Sequence, residues 1–315
     1  MAEPAVVHFR AMGACCRIVV GGGPDDLATK ARDLVVSLEQ RWSRFLGSSE
    51  ISSLNRLAGR LTLVSEPTYR LMQCAAAAVA RTNGRFNPLM LDQLEGNGYQ
   101  NCWQNSAPIP DERLIEPATT EPITIHSELT AVTIPFGCRF DPGGIGKGLA
   151  VDMAVEFCLD AGADTVSVEL GGDLRVDGIP WYGPQWRIGV ADPYQRDEHI
   201  AWFTPTQGAV ATSSTLQKSW SFGGRQYHHL LDPATGQPAM GGIVSVTTCA
   251  AQTWWAEVVA KSALISGRVG WRSELERLGV PGIAVDKDGD VLAQNDAVVL
   301  GSAPFATEVG QVEAT

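Results

Sequence analysis

Apolar side chains at Leu27, Ala31, Leu34, Leu38, Trp42 and Phe45 recur at the spacing of one helix face, with Pro24 and Asp25 at the start. That pattern predicts one long amphipathic helix. Ahead of it, residues 6–12 and 16–20 read as a strand pair, followed by a Gly-Gly-Gly-Pro turn. The small polar residues from Ser48 to Asn55 suit a cap and a short helix, and a second helix is expected over about 66–82, ending at Asn83-Gly84. Residues 97–121 are polar and Pro-rich without periodicity, so they read as a long surface connection and a candidate insertion. A strand or hairpin over 129–140 runs into a Gly-rich turn, beyond which Leu149, Met153 and Phe157 mark the stripe of another helix. Strands are expected at 165–170, 186–190, 209–212 and 244–249, a helix over about 252–266, and a late hairpin around 286–290. Strands mixed with helices without regular alternation predict an α+β architecture.

Composition narrows the function classes. The 315 residues are 44% hydrophobic and 19% charged, as in an ordinary globular chain and not a disordered one. Acidic residues (35) outnumber Lys plus Arg (24), a net charge of -11, so no broad field attracts nucleic acid or anionic lipid. An anionic ligand would need local donors. The first ten residues carry an early acid and no sustained apolar core, which predicts a cytoplasmic protein without a membrane anchor. Seven cysteines without a Cys-x-x-Cys pair point to reduced thiols and not to a disulfide framework or structural zinc.

The run Asp141-Pro142-Gly143-Gly144-Ile145-Gly146-Lys147-Gly148 invites a phosphate-binding reading, because glycines let backbone amides approach an anion at a helix start. Its spacing fits neither a P-loop nor the dinucleotide fingerprint: Asp141 stands where the first P-loop glycine belongs, and Leu149 where the third fingerprint glycine belongs. Alone, the run is equally a tight strand-to-helix turn.

The order of several segments is more specific. Met12-Gly13, Ser43 to Asn55, Phe86-Asn87-Pro88, the run from Asp141 to Gly148, Leu170-Gly171-Gly172-Asp173, Ala211-Thr212-Ser213-Ser214 and the run His229-Leu230-Leu231-Asp232-Pro233-Ala234-Thr235-Gly236 together resemble the ApbE family of FAD:protein FMN transferases. The resemblance covers about residues 9–295 of one domain, with 97–121 as the insertion and 302–315 as a flexible tail. It implies a duplicated, T-fold-like α/β core with FAD in a cleft between its parts. It also implies transfer of FMN from FAD to a Ser or Thr hydroxyl of an acceptor flavoprotein, AMP release and assistance by magnesium. By that match Met12, Gly13, Asp141, Gly143, Gly144, Gly146, Lys147, Glu169, Gly171, Gly172, Asp173, Thr212, Ser213 and His229 would contact FAD. His229 would accept the proton of the incoming hydroxyl, since an imidazole titrates near neutrality. Asp232 would orient it or complete the turn. Without the resemblance, His229 and Asp232 would read as a strand-end residue and a turn residue.

One departure concerns the metal. The family's Ala-Asp-x-x-Ala-Thr becomes Ala256-Glu257-Val258-Val259-Ala260-Lys261. Glu257, with the Gly146 turn, could still offer oxygen to magnesium, but a protonated Lys261 has no lone pair and repels a cation. Either Glu257 and Lys261 are an exposed i,i+4 pair, or the Lys261 ammonium takes the ion's place and pairs with Glu257 and the FAD diphosphate. Asn87 also stands where the family has Asp, and the stretch from Ala211 to Lys218 departs from the family pattern. Three functions remain open at this stage: flavin transfer, FAD hydrolysis to FMN and AMP, and a non-catalytic FAD carrier.

Overall fold

Strands β1 (Ala5–Ala11) and β2 (Ala14–Gly22) meet at Met12 and Gly13, whose φ values of 52° and 73° make a two-residue turn with the twist a hairpin needs. The computed structural model describes residues 3–100, 110, 111, 113, 115–195, 197–294, 299–300 and 312–314. Helix α1 (Leu27–Trp42) buries Leu27, Ala31, Leu38 and Trp42 as the spacing predicts. Val35 lies deeper than Leu34, and the helix stops before Phe45, which is exposed. Helix α2 (Glu50–Arg56) starts at Ser49, whose hydroxyl accepts the Ser52 amide. Strand β3 (Thr62–Leu63), helix α3 (Glu66–Arg81), helix α4 (Leu91–Gly96) and strands β4 (Thr124–His126) and β5 (Ala131–Thr133) follow. The strand expected over 129–140 shrinks to β5, because Thr130 is left-handed and the chain turns again between Pro135 and Cys138.

Helix α5 (Gly146–Asp160) leads into β6 (Ala163–Leu170) and β7 (Asp173–Gly178). Its buried surface is wider than the expected stripe. Leu149, Val151, Ala154, Val155 and Cys158 are enclosed and Met153 and Phe157 only partly, since α5 packs on α1 and on β6 at once. Beyond lie β8 (Ile188–Ala191), β9 (His199–Phe203), β10 (Gly208–Ser214), the hairpin β11 (Ser219–Phe222) and β12 (Arg225–His228), β13 (Ile243–Ala250), and helices α6 (Thr253–Ile265) and α7 (Gly267–Leu278). Strands β14 (Gly282–Asp286), β15 (Val291–Ala293), β16 (Val299–Leu300) and β17 (Val312–Ala314) complete the order. Helix α7 is not anticipated by the apolar pattern; it starts at left-handed Gly267 and turns Trp271 and Leu275 inward.

One antiparallel sheet runs β1-β2-β6-β7-β10-β13-β14-β15. Each half of it is two strands, intervening helices and two more strands, the duplication expected of an α+β core of this kind. Helices α1, α5 and α6 cover one face. On the other, Leu174, Val176, Val210 and Ile283 pack against Trp186 and against Ile188, Val190 and Phe203 of a smaller sheet ordered β16-β9-β8-β17. Helices, large sheet and small sheet make three layers. Among the described residues no helix is long and apolar enough to cross a membrane.

The connection over 97–121 is not wholly at the surface. Asn97 is fully buried; its side-chain amide donates to the Gly236 carbonyl at 2.8 Å and its own carbonyl accepts the Trp220 indole N–H at 3.1 Å. The Ala118 amide donates to the Pro233 carbonyl. The loop at 233–236 and Trp220 of β11 supply these buried groups with partners, except the Asn97 Oδ1, which has none. Residues 101–109, 112 and 114 of this connection, and 302–311 and 315 of the expected tail, lie outside the described residues, whereas β17 pairs in parallel with β8.

Candidate functional site

Four segments far apart in sequence fix the Gly-rich turn. The Asn55 amide donates to the Phe140 carbonyl at 3.0 Å while its oxygen accepts the Phe140 amide at 2.7 Å. The Asp141 amide donates to the Pro88 carbonyl, and the buried Arg44 guanidinium holds the Asp141 carboxylate at 3.0 Å. The other Asp141 oxygen accepts the Gly143 amide, closing the short turn Pro142–Gly144 that leads into α5. At Gly144 a Cβ would lie 2.8 Å from the Phe86 ring and 3.4 Å from the Lys261 methylenes, so only glycine lets those two side chains close on the turn.

Behind the turn is a buried charge cluster. The Lys147 ammonium contacts the Asp173 carboxylate and lies 3.7 Å from Glu257. Glu257, 1% exposed, accepts the Gly148 amide on one oxygen at 2.9 Å and the Lys261 ammonium on the other at 3.0 Å. Burial pushes the Glu257 carboxyl up, but the Lys261 and Lys147 charges and the Gly148 amide outweigh it and hold the group below its ordinary range. The pair is therefore not on an exposed helix face: Lys261 is only 12% exposed.

This donor set does not fit a divalent ion. Both Glu257 oxygens are engaged, and an ammonium stands where a second oxygen donor would be needed. Among the described residues no cluster of three or more His, Cys, Asp or Glu side chains could hold a metal.

The second wall comes from the segment after β12. His228 faces inward, its Nε2 3.1 Å from the Ala239 carbonyl and its Nδ1 accepting the Leu230 amide, which is a structural role. His229 turns the other way, as alternation along an extended segment requires. Its amide donates to the Lys218 carbonyl, while its buried Nδ1 has no partner. Burial pushes this imidazole well below its ordinary pKa, and the nearby Lys218 and Lys261 charges push it further. Asp232 does not touch His229: its carboxylate accepts the Ala234 amide and its carbonyl accepts the Thr235 and Gly236 amides. That is the turn role, with Pro233 at the next position.

Asp141, Gly143, Gly144, His229 and Lys261 thus line one cleft, with Phe86, Met90, Leu231 and Ile265 as its apolar wall. The cleft lies between the two halves of the fold. The remaining expected positions gather at one end of the large sheet. The Gly171 amide donates to the Cys15 carbonyl, which brings Gly171-Gly172 beside the Met12-Gly13 turn. Glu169 sits on β6 opposite Arg17, and Thr212 and Ser213 lie on β10 beyond its pairing with β7. The Thr212 and Thr247 hydroxyls share a hydrogen bond, and the buried Ser213 hydroxyl has no partner. These residues do not line the cleft, although Lys147, through Asp173, ties the two places together.

Sequence reasoning missed Asp152. Its carboxylate accepts the Thr253 amide and hydroxyl and the Trp254 amide, and pairs with Arg175 at 2.9 Å. The signal was an acid in the middle of an otherwise apolar run. Lys218 was also missed as a charge beside His229.

A relative in Treponema pallidum named "FAD:protein FMN transferase" is 25% identical over 282 residues, covering 81% of this chain and 77% of that one. One of the same name in Klebsiella pneumoniae is 24% identical over 305 residues, 93% of each chain. The crystal structure of the ApbE protein from Thermotoga maritima superposes with a TM-score of 0.84 at 28% identity, over 93% of this chain and 97% of that one. The flavin transferase ApbE from Vibrio cholerae shares the fold, with a TM-score of 0.79 at 24% identity over 94% and 99%. A profile of the ApbE family matches residues 12–284, and the chain belongs to that family.

Proposed function

We propose that this protein moves FMN from FAD to a Ser or Thr hydroxyl of an acceptor protein and releases AMP. The observation that carries the reading is the partnerless Nδ1 of His229 on the wall that faces the Gly143-Gly144 turn and the Lys261 ammonium. A proton acceptor and an anion site share one cleft. FAD enters as substrate, its diphosphate on the turn and the ammonium groups. The acceptor oxygen forms a bond to the phosphorus of the FMN half, the bond to the bridging diphosphate oxygen breaks, and its electron pair leaves with AMP. His229 takes the proton of the hydroxyl. Phosphoryl transfer asks for this positioning and charge neutralisation and for little else.

The lowered pKa of His229 suits the role at the start of the reaction, because the ring is neutral and free to accept. The diphosphate then offsets the lysines and stabilises the imidazolium that forms. Free thiols at all six described cysteines fit a reducing compartment such as the cytoplasm.

The test is incubation with FAD, with and without an acceptor domain carrying the target threonine, followed by nucleotide chromatography and mass spectrometry. Acceptor-dependent AMP release with covalent flavin supports transfer. AMP and FMN without acceptor would mean hydrolysis, and intact FAD a carrier.

A further inference from the structure

We propose that Lys261 and Lys218 together supply the positive charge that a divalent metal would otherwise bring to this cleft, so that FAD binding needs no magnesium. The proposal rests on the FAD reading above and adds to it.

The charge arithmetic is specific. Lys147 and Asp173 form a contact pair and cancel. Glu257 with Lys261 cancels as well, at 3.0 Å. Lys218 is the third lysine: its carbonyl accepts the His229 amide at 3.2 Å and its ammonium lies 5.9 Å from the centre of the Tyr99 ring, which puts its charge beside His229. Glu257 with Lys261 and Lys218 leaves one positive charge. One carboxylate with one divalent ion would leave the same. The place is built and not incidental: the Lys261 methylenes lie against Gly144, its ammonium is fixed by Glu257, and Glu257 is fixed by the first turn of α5.

An ammonium differs from a metal in what it can do. It offers three N–H donors and a fixed charge, and it neither exchanges ligands nor acidifies water. Binding and neutralising a diphosphate need only the first two. A divalent ion brought to the same spot would meet the ammonium at contact distance, where repulsion is strong in a partly buried site.

The experiment is FAD titration of the purified full-length protein by flavin fluorescence, in EDTA and in excess magnesium. The expected result is a Kd that differs less than about twofold between the two, since no ion is being displaced or recruited. K261T should bind FAD at least about tenfold more weakly in EDTA, the loss expected for one charge-assisted hydrogen bond, and regain affinity in magnesium. K218M should weaken FAD in both media, with no recovery. Circular dichroism confirms that each variant is folded, and the wild-type comparison depends on no variant. Wild-type protein that loses FAD on metal removal and recovers it with magnesium overturns the proposal, as does K261T that binds FAD in EDTA as tightly as wild type. Absence of FAD binding in either medium overturns the FAD reading itself, and this proposal with it.

Discussion

Glu257 accepts the backbone N–H of Gly148 at 2.9 Å, so a carboxylate from α6 caps the first turn of α5. Amides at a helix start have no partner within the helix, and this one is satisfied by a side chain more than a hundred positions away. The contact requires a close approach of the two helices. A Cβ at position 148 would lie 2.7 Å from the Trp254 Cα and 2.8 Å from the Thr253 carbonyl carbon, backbone atoms that cannot rotate away.

Replacing Gly148 by Ala should therefore push α6 off α5 and move Glu257 and Lys261 together. Overpacking of this kind costs about 1–3 kcal/mol. Urea unfolding should show the loss, and FAD titration should show weaker binding. Wild-type values in both would mean that the helices separate freely.

Asp152, one turn further along α5, docks the same N-terminal end of α6. Its carboxylate accepts three hydrogen bonds from Thr253 and Trp254 and pairs with Arg175, all in buried surroundings. Asp152→Ala leaves those donors without a partner and the Arg175 charge with only Glu156, at 3.7 Å, a change that costs roughly 3–5 kcal/mol when a buried pair loses one member. Chemical denaturation of D152A beside R175M checks this. The double variant should lose less than the sum of the two, since the Arg175 charge is no longer stranded.

The sheet and the long helices were legible because their apolar residues repeat at two or at three-and-four positions, and β1, β2, α1, α3, α5 and α6 follow from that alone. Helix α7 and strands β7 and β9 were not, since their patterns are short and interrupted by charge. Within the site, Lys261 and Glu257 were legible as a departure from a motif, and their burial was favoured by the apolar Val258, Val259 and Ala263 around them, but the Gly148 amide that fixes Glu257 was not legible, because it comes from α5 packing across α6. Asp232 illustrates the opposite case: the sequence left it between two roles, and the turn geometry of Ala234 to Gly236 assigns it one. Lys218 is brought to His229 by the β11–β12 hairpin, whose Gly223-Gly224 turn was the local signal that went unread.

Asn87 departs from the family's acidic residue for a reason the structure makes plain. Its oxygen accepts the Leu89 amide, as a carboxylate could, but its NH₂ donates to the Thr119 carbonyl at 2.9 Å, as a carboxylate cannot. Asn87→Asp should set a carboxylate oxygen against that carbonyl and free Thr119 from the turn at Asn87. The expected loss is about 1–3 kcal/mol, the cost of an unsatisfied partly buried group. Thermal unfolding and limited proteolysis of N87D measure it; an unchanged melting midpoint with unchanged cleavage would count against this account.

His229 gives the pH dependence. Burial, aided by Lys218 and Lys261, holds its folded pKa well below 6.5, while the unfolded chain titrates near 6.5. Between those two values the unfolded state binds the extra proton, so this group's contribution to stability is full above pH 6.5 and is lost as pH falls toward the folded pKa. His229→Gln, which cannot take the proton, should flatten that part of the stability curve. In catalysis the acid limb of kcat/KM, which reports the free enzyme, should lie below pH 6.5. The acid limb of kcat should lie higher, because bound diphosphate offsets the two lysines. The variant should retain FAD affinity within a few-fold, which fluorescence titration reads, and lose transfer by about 10²–10⁴, the range for removal of a general base. An H229Q protein that transfers flavin at the wild-type rate would remove His229 from the reaction.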